Sequence, residues 1–96
     1  MSAIHVIVTF ETKPELASSF ASLLERVRQD LPQVNGCRGV QIFTGTGDAP
    51  LFTLLEEWDS AECHQHHIAG VVASGAWEEI AAHLAKDPQS HYYTRH

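Results

Sequence analysis

Ninety-six residues suffice for one domain, taken here as 1–96, and leave no room for a second. A chain this short buries only about 60–65% of the surface its unfolded form exposes, so its core is marginal and pairing with another copy is a common remedy. Six Lys and Arg against twelve Asp and Glu give a formal charge of −6, which disfavours nucleic acid and anionic membranes, since both need clustered cations.

The opening segment, MSAIHVIVTF, has no basic region and no small-residue cleavage site, and it reads as a strand rather than a signal peptide. Within it Ile4, Val6, Val8 and Phe10 alternate with His5 and Thr9, a period of two rich in β-branched types. Ile7, on the other phase, implies that the second face is not fully wet. Lys13-Pro14-Glu15 then places proline where a helix begins. Leu16, Phe20, Leu23, Leu24, Val27 and Leu31 follow at three- and four-residue steps, so a helix is predicted over 14–31, closed by Pro32.

Asn35-Gly36 signals a turn, and Val40, Ile42 and Phe43 mark a second strand. The turn formers from Gly45 to Pro50 link it in a hairpin to a third strand, Leu51 to Trp58. That third strand is apolar on both phases, which predicts cover on both faces. Asp59 with Glu62 has the form of a capping box opening a second helix, weakened or broken at Gly70 and Gly75 and restarted from Ala76 to Leu84. His91 to Thr94 is read as a last strand. The order β-α-β-β-α-β is the split βαβ arrangement, an α+β fold with an antiparallel sheet and both helices on one face. The bare face predicts a two-fold homodimer.

No stretch reaches the roughly 18 apolar residues of a membrane helix. Two cysteines, Cys37 and Cys63, are too few for a disulfide scaffold and are read as reduced thiols of a cytoplasmic protein. Cys63, His64, His66 and His67 cluster on the second helix. Cys63 pairs at helical spacing with His66 or His67, a third ligand would have to come from Cys37 or His91, and His64 is directed elsewhere, so no metal is assigned.

The order of elements, the Asn35-Gly36-Cys37 turn, and above all Glu57-Trp58 followed by a capped helix with His67 nine residues after the tryptophan resemble the antibiotic biosynthesis monooxygenase (ABM) family. The resemblance covers nearly the whole chain. It implies a dimeric, ferredoxin-like α+β barrel with a pocket between sheet and helices. Some members oxidise electron-rich aromatic substrates without a cofactor, the substrate carbanion itself reacting with oxygen; others degrade haem, act on quinols or isomerise small sugars. Leu54 stands where aromatic-polyketide oxygenases carry asparagine, and the first strand lacks the asparagine of haem-degrading members.

The resemblance therefore implies a cofactor-independent monooxygenase for a small aromatic, quinol or polyketide-like substrate. His67, whose ordinary pKa suits base work at neutral pH, is the catalytic candidate, with Trp58 as a stacking wall. Phe10, Leu54, Glu57 and Ile68 are the substrate-binding candidates. The alternatives are a non-catalytic small-molecule or haem-binding dimer and a small-metabolite isomerase. For each residue there is also a plain structural role: His67 and Trp58 as packed core side chains, Glu57 as an interface group, Cys37 as a small buried hydrophobe.

Overall fold

In the computed structural model, which describes residues 3–96, four strands form one antiparallel sheet. They are β1 (Ile4–Glu11), β2 (Cys37–Thr44), β3 (Leu51–Trp58) and β4 (Gln89–Tyr93). Their spatial order is β2-β3-β1-β4, the ferredoxin-like arrangement expected from the element order. The helices are α1 (Ala17–Asp30), α2 (Ala61–Ala73) and α3 (Ala76–Ala82).

The two-residue period of each strand decides what the helices cover. On β1, Val6 and Phe10 are buried, and on β3 the burial alternates residue by residue, with Phe52, Leu54, Glu56 and Trp58 inside. Val8 pairs with Leu54 and Phe10 with Phe52, so these phases share one face. Phe20 from α1 completes that layer, touching Phe10 and Phe52 edge-on with ring centroids 5.2 Å apart in both pairs. The opposite face carries Ile7, Leu51, Leu55 and Phe43, with Thr9 and Thr53 hydrogen-bonded through their hydroxyls at 3.1 Å.

The predicted helix over 14–31 divides into a 3₁₀ turn at Pro14–Leu16, α1, and a second 3₁₀ turn at Leu31–Gln33. Proline is the first residue of one short turn and the second of the other, positions where its missing N–H costs nothing. The second helix starts one residue later than the Asp59 capping box predicts. Ser60 is the N-cap, its hydroxyl accepting from the Cys63 N–H, because Asp59 is engaged by the Arg38 guanidinium at 2.6 Å. Helix α2 also runs through Gly70 unbroken; Gly75, at φ +85°, makes the break that sets off α3.

Candidate functional site

Trp58 and His67 do converge. Trp58 is the last residue of β3, and α2 folds back over the sheet, laying the His67 ring 5.2 Å from the indole with planes inclined by 32°. The indole is fully buried, and its Nε1–H donates to Glu56 Oε1 at 2.9 Å. Trp58 therefore stands behind His67 rather than forming a stacking wall open to a ligand.

In front of His67 lies a cavity of about 520 Å³ between the sheet and the helices. Phe10 and Leu54 form its floor and Ile68, Val71 and Ile80 its helical side, while His67 and Glu56 supply polar groups. Arg26, Asp30 and Glu79 also line it, with Arg26 and Glu79 joined at 3.1 Å between α1 and α3. A mostly apolar cavity with a few convergent polar groups is the usual form of a small-molecule site.

Glu57 is elsewhere. As an odd-phase residue of β3 it points through the helix-free face, 3.6 Å from both Arg38 and His5. The carboxylate inside is its neighbour Glu56, in phase with Leu54 and Trp58. The missed signal was the alternation itself: once Leu54 is placed on the cavity side, Glu56 must share that side. His64, expected to point elsewhere, is also buried, with Nδ1 2.8 Å from the Tyr92 hydroxyl and Nε2 3.9 Å from Glu56 Oε1. Among the described residues, no three His, Cys, Asp or Glu side chains gather as metal ligands.

Desolvation sets the charge states here. Burial pushes the Glu56 carboxyl above the usual carboxylate range, partly offset by the Trp58 hydrogen bond. Burial also pulls His67 and His64 below the ordinary imidazole value, with His67 adding to the effect on His64. A neutral imidazole facing an apolar cavity can accept a proton at neutral pH. Burial likewise raises the Cys37 thiol, leaving it a weak nucleophile.

The family model for antibiotic biosynthesis monooxygenase matches residues 3–82. The chain belongs to this family. No curated protein matches it. Among solved structures it is similar to a conserved protein from Methanosarcina mazei Go1, at 22% identity and TM-score 0.85 over 100% of this chain and 95% of that one. Rv0793 from Mycobacterium tuberculosis matches at 18% identity and TM-score 0.84, over 99% and 96%. A solved antibiotic biosynthesis monooxygenase matches at 22% identity and TM-score 0.85, over 97% and 98%. At these identities the likeness establishes the fold.

Proposed function

We propose that this chain is a cofactor-independent monooxygenase for a small planar phenol, quinol or polyketide-like substrate, with His67 as the base. The observation that carries the reading is the apolar cavity ending on a neutral, desolvated His67. Phe10, Leu54 and Ile68 would hold the ring by apolar contact, and Trp58 would hold His67 in place. Glu57, on the other face, has no part in binding.

For a ring-activated CH₂ group the chemistry balances without an external reductant. His67 takes one proton from the carbon, leaving a carbanion delocalised over the aromatic system. Dioxygen adds to that carbon, forming a C–O bond, and the peroxide takes the proton back from His67. Loss of the second C–H proton then breaks the O–O bond, leaving a carbonyl and releasing water. The substrate's two C–H bonds supply all four electrons that dioxygen accepts. Low polarity around the base keeps the carbanion from the bulk water that would reprotonate it.

We further propose that the chain, as one domain, works as a homodimer in the cytoplasm. Pairing through the helix-free face would cover Ile7, Leu51, Leu55 and Phe43, the last 53% exposed in the single chain. The free thiols of Cys37 and Cys63 support the reducing compartment.

Oxygen uptake with a panel of anthrones, naphthols and hydroquinones tests the reading. Turnover should fall by roughly 10²–10⁴-fold in His67→Ala, the usual worth of a positioned general base. Undiminished turnover in that variant removes His67 as the base. Saturable binding of panel members with no oxygen uptake would instead make the protein a carrier.

A further inference from the structure

Three strands present a line of side chains at one level on the cavity face. Val6 pairs with Glu56 across one side of β1 and with Tyr92 across the other. With neighbouring strands about 4.7–4.9 Å apart, the carboxyl and the phenol stand two strand spacings from each other, separated by a small, fully buried valine. The space above Val6 is filled from α2 by one imidazole. His64 reaches the Tyr92 hydroxyl with Nδ1 at 2.8 Å and faces Glu56 Oε1 with Nε2 at 3.9 Å, its ring standing edge-on to Tyr92 at 89°. Both nitrogens of this ring are thus aimed at acid–base groups. At one end Glu56 opens on the cavity; at the other Tyr92 is 43% exposed.

We infer that Glu56, His64 and Tyr92 form one proton-sharing unit, which makes Glu56 a second acid–base group of the cavity in protonic contact with solvent. With Glu56 ionised, the Tyr92 O–H donates to Nδ1 and the Nε2–H faces the carboxylate. From this state the Nε2–H passes to Glu56, the Tyr92 O–H passes to Nδ1, and water restores the phenol proton, leaving Glu56 protonated for the cavity and His64 in its Nδ1–H form. The hops reverse for uptake from the cavity: the Glu56 proton passes to Nε2, the Nδ1–H returns to the Tyr92 oxygen, and the phenol releases one to water, so no charge is stranded at either end. The route enters behind the cavity wall, so a ligand filling the cavity leaves it open.

His64 and Tyr92 act through Glu56 and are positioning residues. The Trp58 N–H bond to Glu56 is fixed in both states. The charge of the carboxyl is felt by Cys37 of β2, and His67 of α2 lines the same cavity. At the cavity rim Arg26 and Asp30 of α1 and Glu79 of α3 complete the set. β1 contributes only Val6 and Val8.

The test needs no substrate. In the full chain, ¹³C NMR of the Glu56 carboxyl and ¹⁵N NMR of the His64 ring are followed against pH, with signals assigned by loss in Glu56→Gln and His64→Gln. In the wild type, neutral His64 should carry its proton on Nε2. Tyr92→Phe deletes one oxygen from a half-exposed ring, which frees Nδ1 to hold the proton and turns the Nε2 lone pair toward Glu56. The Glu56 midpoint should then rise by about half a pH unit or more. A His64 proton on Nδ1 in the wild type, or a Glu56 midpoint unmoved or lowered in Tyr92→Phe, overturns the unit. If instead the phenol panel shows no oxygen uptake, the monooxygenase reading fails while this result stands.

Discussion

His67 lies across Trp58, their ring centroids 5.2 Å apart, and the same indole donates its N–H to Glu56. One fully buried ring therefore seats the proposed base on its face and ties down a carboxyl at its edge. Removing the edge function alone is informative. Trp58→Phe keeps an aromatic surface but leaves a buried carboxyl without its donor, at a cost of about 1.5–3 kcal/mol. Urea unfolding should show that loss at neutral pH and a smaller one in acid, where Glu56 is neutral in both proteins. An equal loss at both pH values would assign the cost to packing.

The buried imidazoles and the buried carboxyl pull stability in opposite directions with pH. His64 and His67 have folded values below 6.5, so their contribution is full above pH 6.5 and drains as pH falls through the lower folded values. Glu56 has a folded value above 4.5, so its contribution is full below about pH 4.5 and is lost as pH rises through the folded value. Denaturation across this range should show His67→Gln flattening the loss on the acid side. Glu56→Gln should be more stable than the wild type at pH 7 and no more stable at pH 4. A variant difference that does not change with pH would contradict both assignments.

Thr12 is 1% exposed, and among the described residues its Oγ1 has no hydrogen-bond partner, although its N–H donates to the Pro50 carbonyl at 3.1 Å. A buried hydroxyl left unpaired costs about 1–3 kcal/mol. Thr12→Val keeps the β-branched shape and the strand geometry, so the thermal midpoint should rise. A fall would show that the hydroxyl has a partner after all.

The proposed dimer rests on the helix-free sheet face. Leu55→Lys puts a charge at its centre, opposite Ile7 and Gln41, without touching the cavity side. Sedimentation equilibrium should give twice the 10.6 kDa chain mass for the wild type and a single-chain mass for the variant. A wild type that sediments as a single chain removes the dimer.

Gly36 has φ +90°, and a Cβ built on it would lie 2.7 Å from both Cβ and Sγ of Cys63. Gly36→Ala combines left-handed strain of about 1–3 kcal/mol with a collision against the first turn of α2. A clear drop in the urea midpoint is expected. Because the collision includes Cys63 Cβ, Cys63→Ala should restore little of it.

The alternating strands and the helical stripe of α1 were legible because burial on one face writes a period directly into the residue types. β3 was read over its full length, Leu51 to Trp58, for that reason. The site was legible only in part. His67, Phe10, Leu54 and Ile68 were named and all line the cavity. Glu57, adjacent to Trp58 but on the opposite strand phase, lies on the helix-free face, and it is Glu56, in phase with Leu54 and Trp58, that the strand alternation carries inside. Tyr92 and His64 escaped because their meeting depends on a register across three strands and on the roll of α2. Four histidines and cysteines within five residues suggested a ligand cluster, yet the roll sends His66 to solvent and His64 inward. Capping was misassigned by one residue, since Asp59 had a partner, Arg38, that lies far away in sequence.

Helix α3 buries no residue fully, yet Trp77, Glu79 and Ile80 help to line the cavity. It is tied to α1 by surface contacts, Arg26 to Glu79 and the Ser19 hydroxyl to His83. Glu56 and Trp58, by contrast, are locked within the sheet. The buried carboxyl and indole behind the proposed base are thus the part least free to change, and the helix that helps to set the cavity's outline can drift at little cost in folding. A scaffold divided this way can exchange one ligand for another by altering a single seven-residue segment.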